Sequence, residues 1–312
     1  MFYATDIHGS ERCFTKFVNG GPFYKADVLV IGGDITGKYF IPIVEQADGT
    51  ITATYLGKEY KLKPGKELDQ LEQRIRAAGY YVYRTNPNDL QDLRNNPAKS
   101  EQIFETLITE SLRKLMAYAE QKLKGTKIKC FVSPGNDDAF FVDKVLAESN
   151  TVINPEGQVI DIDGLHEMAS TGYTNMTPWN CPRDISEEEL MKRIDDMTSK
   201  LKNPSRSIFN FHCPPFDSTL DSAPQLDEKL QPKLSPSGPV MAPVGSTSVR
   251  TAIEKYQPLL GLHGHIHESK GYLPLGRTIC VNPGSEYTEG VLRGFLAELT
   301  EDKVKDFLFV SA

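Results

Sequence analysis

Histidine is scarce in this chain, with six among 312 residues. Tryptophan occurs once and cysteine five times. Cys13, Cys130, Cys181, Cys213 and Cys280 are scattered and odd in number, and none forms a C-x-x-C pair. That excludes a dense disulfide framework and fits a reduced, cytoplasmic protein. The opening MFYATDIHGS lacks the charged-then-apolar pattern of a secretory signal. No apolar run approaches the ~18 residues that a membrane span needs, so no membrane partner is expected. A Lys/Arg stripe is also missing. With a net charge of −7 and a pI near 5.5, the chain is a poor match for long nucleic acids, whose phosphates dominate affinity.

What is present is ordinary enough for one large globular domain over 1–312: 39% hydrophobic and 25% charged residues. Short apolar runs end in glycine or polar residues: Phe2 to Thr5, Val28 to Ile31, Ile128 to Val132, Ile208 to Phe211 and Leu259 to Leu262. Such runs predict buried strands. Helical spacing predicts helices over 100–124, ending at Gly125, and over 137–149, 186–202 and 246–256. Ser186 with Glu189 resembles a capping box. At the start of the last helix, Gly245-Ser246-Thr247-Ser248 offers either an N-cap at Ser246 or an anion site. The alternation of strands and helices implies an α/β fold. The stretch 291–311 reads as two strands joined at Thr300-Glu301-Asp302, so part of a sheet is antiparallel.

Two segments break the rhythm. Residues 38–85 read as a β-rich insertion: a meander turning at Asp48-Gly49 and near Gly57-Lys58, a helix over 65–78, then a strand over 80–84. Residues 213–247 carry seven of the 20 prolines and read as a long active-site loop.

Three of the six histidines, His263, His265 and His267, alternate in 261-GLHGHIHES-269. Each apolar run named above leads into a potential metal ligand. Ligands of α/β sheets bind at the carboxyl ends of strands. Asp6, His8, Asp34, Asn136, His212, His265 and His267 can therefore converge on one rim. Their mixed nitrogen and oxygen donors suit a mid-row divalent ion (Mn, Fe, Zn or Co) rather than calcium. Seven ligands exceed the needs of one ion and fit two ions that share a carboxylate. Two ions ~3.5–4 Å apart can hold a bridging hydroxide for in-line attack on a phosphate ester.

Taken in order, Asp6-Ile7-His8, Gly33-Asp34, Gly135-Asn136-Asp137-Asp138, His212 and Gly264-His265-Ile266-His267 resemble the motifs of the calcineurin-like metallophosphoesterase superfamily. The resemblance implies a four-layer α/β/β/α sandwich with a dinuclear centre. It implies that one metal takes Asp6, His8 and His267, the other Asn136, His212 and His265, and that Asp34 bridges them. The Asn282-Pro283-Gly284-Ser285 turn resembles the family's loop after the last histidine motif.

Much of the family has histidine where this chain has Asp137. As an anion near pH 7, Asp137 repels a phosphomonoester dianion more than a diester monoanion, which leans the expectation toward a phosphodiesterase. Otherwise His166 or His263 supplies the missing histidine. Asn136, Asp137 and Asp138 are the catalytic candidates. Asn175 and Arg183, in 172-GYTNMTPWNCPRD-184, and Phe216 and Asp217, just after His212, are the substrate-binding candidates. Cys213 reads as a small buried residue. The expected partner is a small phosphate ester, with the β-rich insertion serving as a dimer arm in a homo-oligomer or as a cap over the site. Rival readings are a nuclease, a phosphomonoesterase acting on protein or small molecules, or a non-catalytic binding scaffold on the same fold.

Overall fold

The computed structural model describes residues 1–312. Two sheets of six strands and one of four carry the fold. In chain order the strands are β1 (Phe2–Ala4), β2 (Val28–Ile31), β3 (Phe40–Glu45), β4 (Ile51–Tyr55), β5 (Lys58–Leu62), β6 (Tyr81–Thr85), β7 (Lys129–Val132) and β8 (Val152–Ile153). They continue with β9 (Gln158–Asp161), β10 (Glu167–Thr171), β11 (Ile208–Phe211), β12 (Leu260–Leu262), β13 (Gly271–Leu275), β14 (Thr278–Asn282), β15 (Arg293–Thr300) and β16 (Lys303–Ser311). The helices are α1 (Glu11–Tyr24), α2 (Lys66–Ala77), α3 (Pro87–Asn95), α4 (Pro97–Leu123), α5 (Phe141–Leu146), α6 (Glu187–Thr198) and α7 (Thr247–Tyr256).

The first sheet runs β16-β15-β1-β2-β7-β8, with β1, β2, β7 and β8 parallel and β15 and β16 antiparallel. The second runs β13-β14-β12-β11-β10-β9, parallel from β14 to β10 and antiparallel at both edges. Period-two alternation sorts the strand residues between two faces. Phe2, Ala4, Leu29, Ile31, Cys130 and Val132 join one core with α1, α4 and α5. Their neighbours Tyr3, Val28, Val30 and Phe131 join a different core, shared with Met168, Ile208, Leu260, Leu262 and Val281 of the second sheet. Phe209 and Phe211 face the other way, onto Leu190 and Ile194 of α6 and Val249 and Ile253 of α7. The result is a mixed α/β fold with its main parallel strands buried on both faces.

Helix α1 lies outside the sequence expectation. Gly20, Gly21 and Pro22 fall inside it, and the two glycines sit where a Cβ would strike Phe2 and crowd Leu29. Helix α4 starts before residue 100, because Asn96 caps it and Pro97 suits its first turn. Helix α3 was also not anticipated; Asn86 caps it by accepting from the Asp89 N–H. The helix expected over 137–149 is only Phe141–Leu146, because residues 136–138 are held in a loop. Ser186 caps α6, but Glu189 turns to Arg193 at 3.1 Å, so only half of the capping box forms.

Residues 40–85 form the four-stranded sheet β5-β4-β3-β6, in which β6 returns parallel to β3. Its inner face, Ile43, Ile51, Ala53 and Tyr55, packs on Leu68, Leu71 and Ile75 of α2. The proline-rich stretch folds on itself: Ser222–Pro224 pairs with Met241–Pro243, and Leu234–Ser235 with Gly238–Pro239. No helix is long and apolar enough to cross a membrane.

Candidate metal centre

The loops after β1, β2, β7, β11 and β12 meet at the carboxyl ends of the parallel strands. Backbone hydrogen bonds fix the meeting: Asp6 N–H donates to Gly33 O at 3.0 Å, His8 N–H to Asp34 O at 2.9 Å, and Gly264 N–H to His212 O at 2.9 Å. Glycine precedes Asp34 because that backbone, at φ 135°, passes so close to His212 that any Cβ would overlap its ring. Four residues here hold left-handed backbone without being glycine: Asp6 (φ 51°), His8 (φ 40°), Asp34 (φ 50°) and His265 (φ 66°). Strain of about 1 kcal/mol or more at each persists only where surrounding structure enforces it, and such residues gather at functional sites.

Side-chain donors fall into overlapping groups. Ligand atoms of Asp6, His8 and His267 lie within 4.8 Å of one another, as do those of Asp34, His212 and His265, and those of His8, Asp34 and Asp137. Asp34 belongs to two groups. Its Oδ2 lies 3.5 Å from His8 Nε2 and its Oδ1 3.4 Å from His212 Nε2. Asn136 Oδ1 approaches His265 Nδ1 at 3.0 Å, while its amide donates to Asp184 at 3.0 Å. A carboxylate only accepts, so Asp184 fixes the amide with its oxygen toward the cluster.

The polar bookkeeping of this cluster calls for cations. His212 Nδ1 faces the Gly32 carbonyl at 3.0 Å and so carries the hydrogen. Its Nε2 is buried without a hydrogen-bond partner and faces the carboxylates of Asp6 and Asp34. His8 Nδ1 is a second buried nitrogen without a partner, while His8 Nε2 and His267 Nε2 face each other at 3.1 Å. Lone pairs turned on one another in this way need a proton or a metal ion between them. Burial would raise Asp6, but His212 and His267 outweigh it and hold it at about 2. Asp34 is likewise held well below the carboxylate range against its burial, chiefly by His212 and His8. Burial opposes the charge on His212, yet Asp34 and Asp6 lift it to about 9. Burial takes His8 and His265 down to about 4, while Asp6 lifts His267 against its burial, so a metal ion would take the place of the protons on His212 and His267. The donor set therefore fits divalent metal.

No family model matches the chain. The uncharacterised protein MJ1162 of Methanocaldococcus jannaschii is 32% identical over 154 residues, which is 48% of this chain and 61% of that protein. The match thus spans about three-fifths of the relative's length. One solved crystal structure, at 18% identity, superposes with a TM-score of 0.55 over 99% of this chain and 97% of its own. The crystal structure of TT1561 of Thermus thermophilus, at 14% identity, gives 0.51 over 94% and 92%. The chain shares its fold with both. At these identities the likeness extends to fold alone.

The remaining sequence candidates fall in different places. Asp137 lies at the cluster: its N–H donates to Asp34 Oδ1 at 3.1 Å and its carboxylate forms an ion pair with Lys38. Asp138 faces away. Its oxygens accept from the N–H groups of Gly135, Ile35 and Thr36 and clamp the β7 loop to the β2 loop. Burial, with Asp34 nearby, raises it to about 6. The expectation that Arg183 binds substrate is corrected. It is 1% exposed, bonded to Asp143 at 2.6 Å and to the Asp138 carbonyl at 3.1 Å, and lies over the Phe140 ring. The Asn175 amide is engaged at both ends, by Val244 O and by the Cys213 thiol. Phe216 and Asp217 lie on the loop after His212 with their carbonyls held by Arg250, and the Asp217 carboxylate makes no hydrogen bond or ion pair. His166 is tied to Asp163 and the Thr300 carbonyl before β10, at the opposite strand end. His263 is buried, with Nδ1 on the carbonyls of Phe211 and Cys213. Neither supplies a histidine beside Asp137.

Sequence reasoning missed Lys38, Cys181, Asp184 and Tyr287. The Cys181 thiol donates to Asp137 at 2.8 Å, and burial, with Asp137 beside it, pushes that thiol up to about 12. The Tyr287 ring lies 4.7 Å from that of His8 and 5.9 Å from that of His267. Of the two readings at the start of α7, Ser246 is the N-cap, accepting from the Val249 N–H, and the carboxylate that meets the N–H groups of Thr247 and Ser248 is the protein's own Glu187.

Proposed function

We propose that the chain is a dinuclear metal-dependent phosphoesterase of the calcineurin-like superfamily, with its two large sheets and flanking helices forming a four-layer α/β/β/α sandwich. Asp34 carries this reading. Its two oxygens face two separate histidine groups, as a bridging carboxylate's would. Asp6, His8 and His267 would hold one ion, and Asn136, His212 and His265 would hold the other. When bound, the pair supplies Lewis-acid charge and an activated water for in-line attack on phosphorus, and Mn, Fe, Zn or Co suits the donors.

The chain's own residues set the geometry of that attack. Asp184 orients the Asn136 amide, and Asp138 locks the loops that carry Asp34 and Asn136. The residue in the family's histidine position, Asp137, is ion-paired with Lys38, so the pair carries no net charge toward an incoming phosphate. The electrostatic basis for preferring diesters over monoesters is therefore weak, and the reading is phosphoester hydrolysis without that restriction. Hydrolysis of bis-p-nitrophenyl phosphate and p-nitrophenyl phosphate by stripped protein refilled with Mn²⁺ tests it. Metal-dependent nitrophenol release, lost in His265→Ala, is expected. No release from either ester by fully loaded wild type would count against it.

A further inference from the structure

Lys38 is the one lysine or arginine whose ammonium or guanidinium pairs with a carboxylate of the cluster. It stands at the end of the β2 loop, four residues after Asp34, where the four-stranded sheet begins. Its position is built rather than incidental. The preceding Gly37 donates its N–H to the Tyr81 hydroxyl at 2.8 Å. Gly37 also lies so close to the Gly79 carbonyl that no Cβ would fit there. The four-stranded sheet thus holds the segment that presents Lys38. From there the ammonium reaches Asp137, and the Asp137 N–H reaches Asp34 at 3.1 Å. The Lys38 side chain remains 42% exposed while that of Asp137 is only 20% exposed, so the cation lies at the open side of the cluster. An ammonium has three donors, and Asp137 occupies one.

We propose that Lys38 is a substrate-binding residue. Its free N–H groups take a non-bridging oxygen of the phosphate, and Asp137 positions the ammonium for that contact. Asp137 is kept as its anionic anchor, not as a proton donor. The inference deepens the phosphoesterase reading and rests on it.

Calorimetric titration of inorganic phosphate into Mn²⁺-loaded wild type, Lys38→Met and Lys38→Arg tests the inference, with metal content measured on each sample. Lys38→Met is expected to keep its metals and to bind phosphate about 10- to 100-fold more weakly, the range for one charged hydrogen-bonding group. Lys38→Arg is expected to recover most of the loss, since a cation remains in reach of both groups. In steady-state assays of Lys38→Met, KM for the monoester should rise more than KM for the diester, because losing the ammonium leaves the Asp137 carboxylate unpaired and it repels a dianion more than a monoanion. Unchanged phosphate affinity in Lys38→Met would overturn the inference, as would no phosphate binding by wild type. Loss of metal together with phosphate would also overturn it, by giving Lys38 a structural role. If loaded wild type binds phosphate but hydrolyses neither ester, the phosphoesterase reading fails, while the Lys38→Met titration still decides the anchor.

Discussion

At the scale of single residues, the proposed centre would depend on groups that are not among its ligands. Asp184 accepts from Asn136, Thr174, Thr177 and Cys181, so it both aims the Asn136 oxygen and closes the 177–184 loop. Asp184→Ala frees the amide to turn over. About a 10- to 100-fold loss of metal affinity is expected, as for other groups that orient ligands. Metal titration followed by calorimetry checks this, and unchanged affinity would remove Asp184 from the site. The ligand candidates were legible in the sequence because each ends an apolar run. Lys38 and Asp184 were not. Their partners, Asp137 and Asn136, are 99 and 48 positions away, and nothing local marks either residue. Arg183 shows the opposite failure. An arginine in a polar loop reads as a phosphate ligand, yet it is folded inward to hold Asp143.

At the scale of elements, five parallel strands, β1, β2, β7, β11 and β12, were legible to within one residue at their ends as short apolar runs, whereas the parallel strands β8, β10 and β14 were not. Helices were less so. Gly20, Gly21 and Pro22 fall inside α1, and packing against Phe2 and Leu29 explains the glycines. Helix α7 shows how neighbouring elements complete one another. Its N-terminus receives the Glu187 carboxylate from the first turn of α6, at 2.9 and 3.0 Å from two backbone N–H groups. Partial burial opposes ionisation of Glu187, but the Ser248 and Ser246 bonds outweigh it and lower its pKa from 4.5. A depressed carboxyl stabilises the fold above its unfolded pKa and loses that effect as pH falls through the folded value. Glu187→Gln should therefore cost about 1 kcal/mol near pH 7, and the gap should close as pH drops below 4.5. Denaturant unfolding of both proteins across that range reads the difference directly. On α2, Leu71 is fully buried against the inner face of the four-stranded sheet. Leu71→Ala should cost about 2–5 kcal/mol while leaving metal content intact, as measured by unfolding and elemental analysis.

At the scale of the whole molecule, the proposed ligands are divided between the two large sheets. Asp6, His8, Asp34 and Asn136 follow strands of the first, and His212, His265 and His267 follow strands of the second. Bound ions would cross-link the sheets at one end of their shared core. Metal that binds only the folded chain raises its stability by mass action. Chelation is thus expected to lower the melting temperature of wild type and to leave that of Asp34→Asn nearly unmoved. The mixed α/β class was legible from the alternation of runs. The course of the proline-rich stretch was not, because short pairings such as Ser222–Pro224 with Met241–Pro243 depend on distant partners. The most direct test of the centre is metal content per chain, by elemental analysis of purified wild type and Asp34→Asn after equilibration with Mn²⁺. Two ions in wild type and fewer than one in the variant are expected from a shared ligand. A single ion in wild type, or two retained in Asp34→Asn, would contradict the dinuclear arrangement built on Asp34.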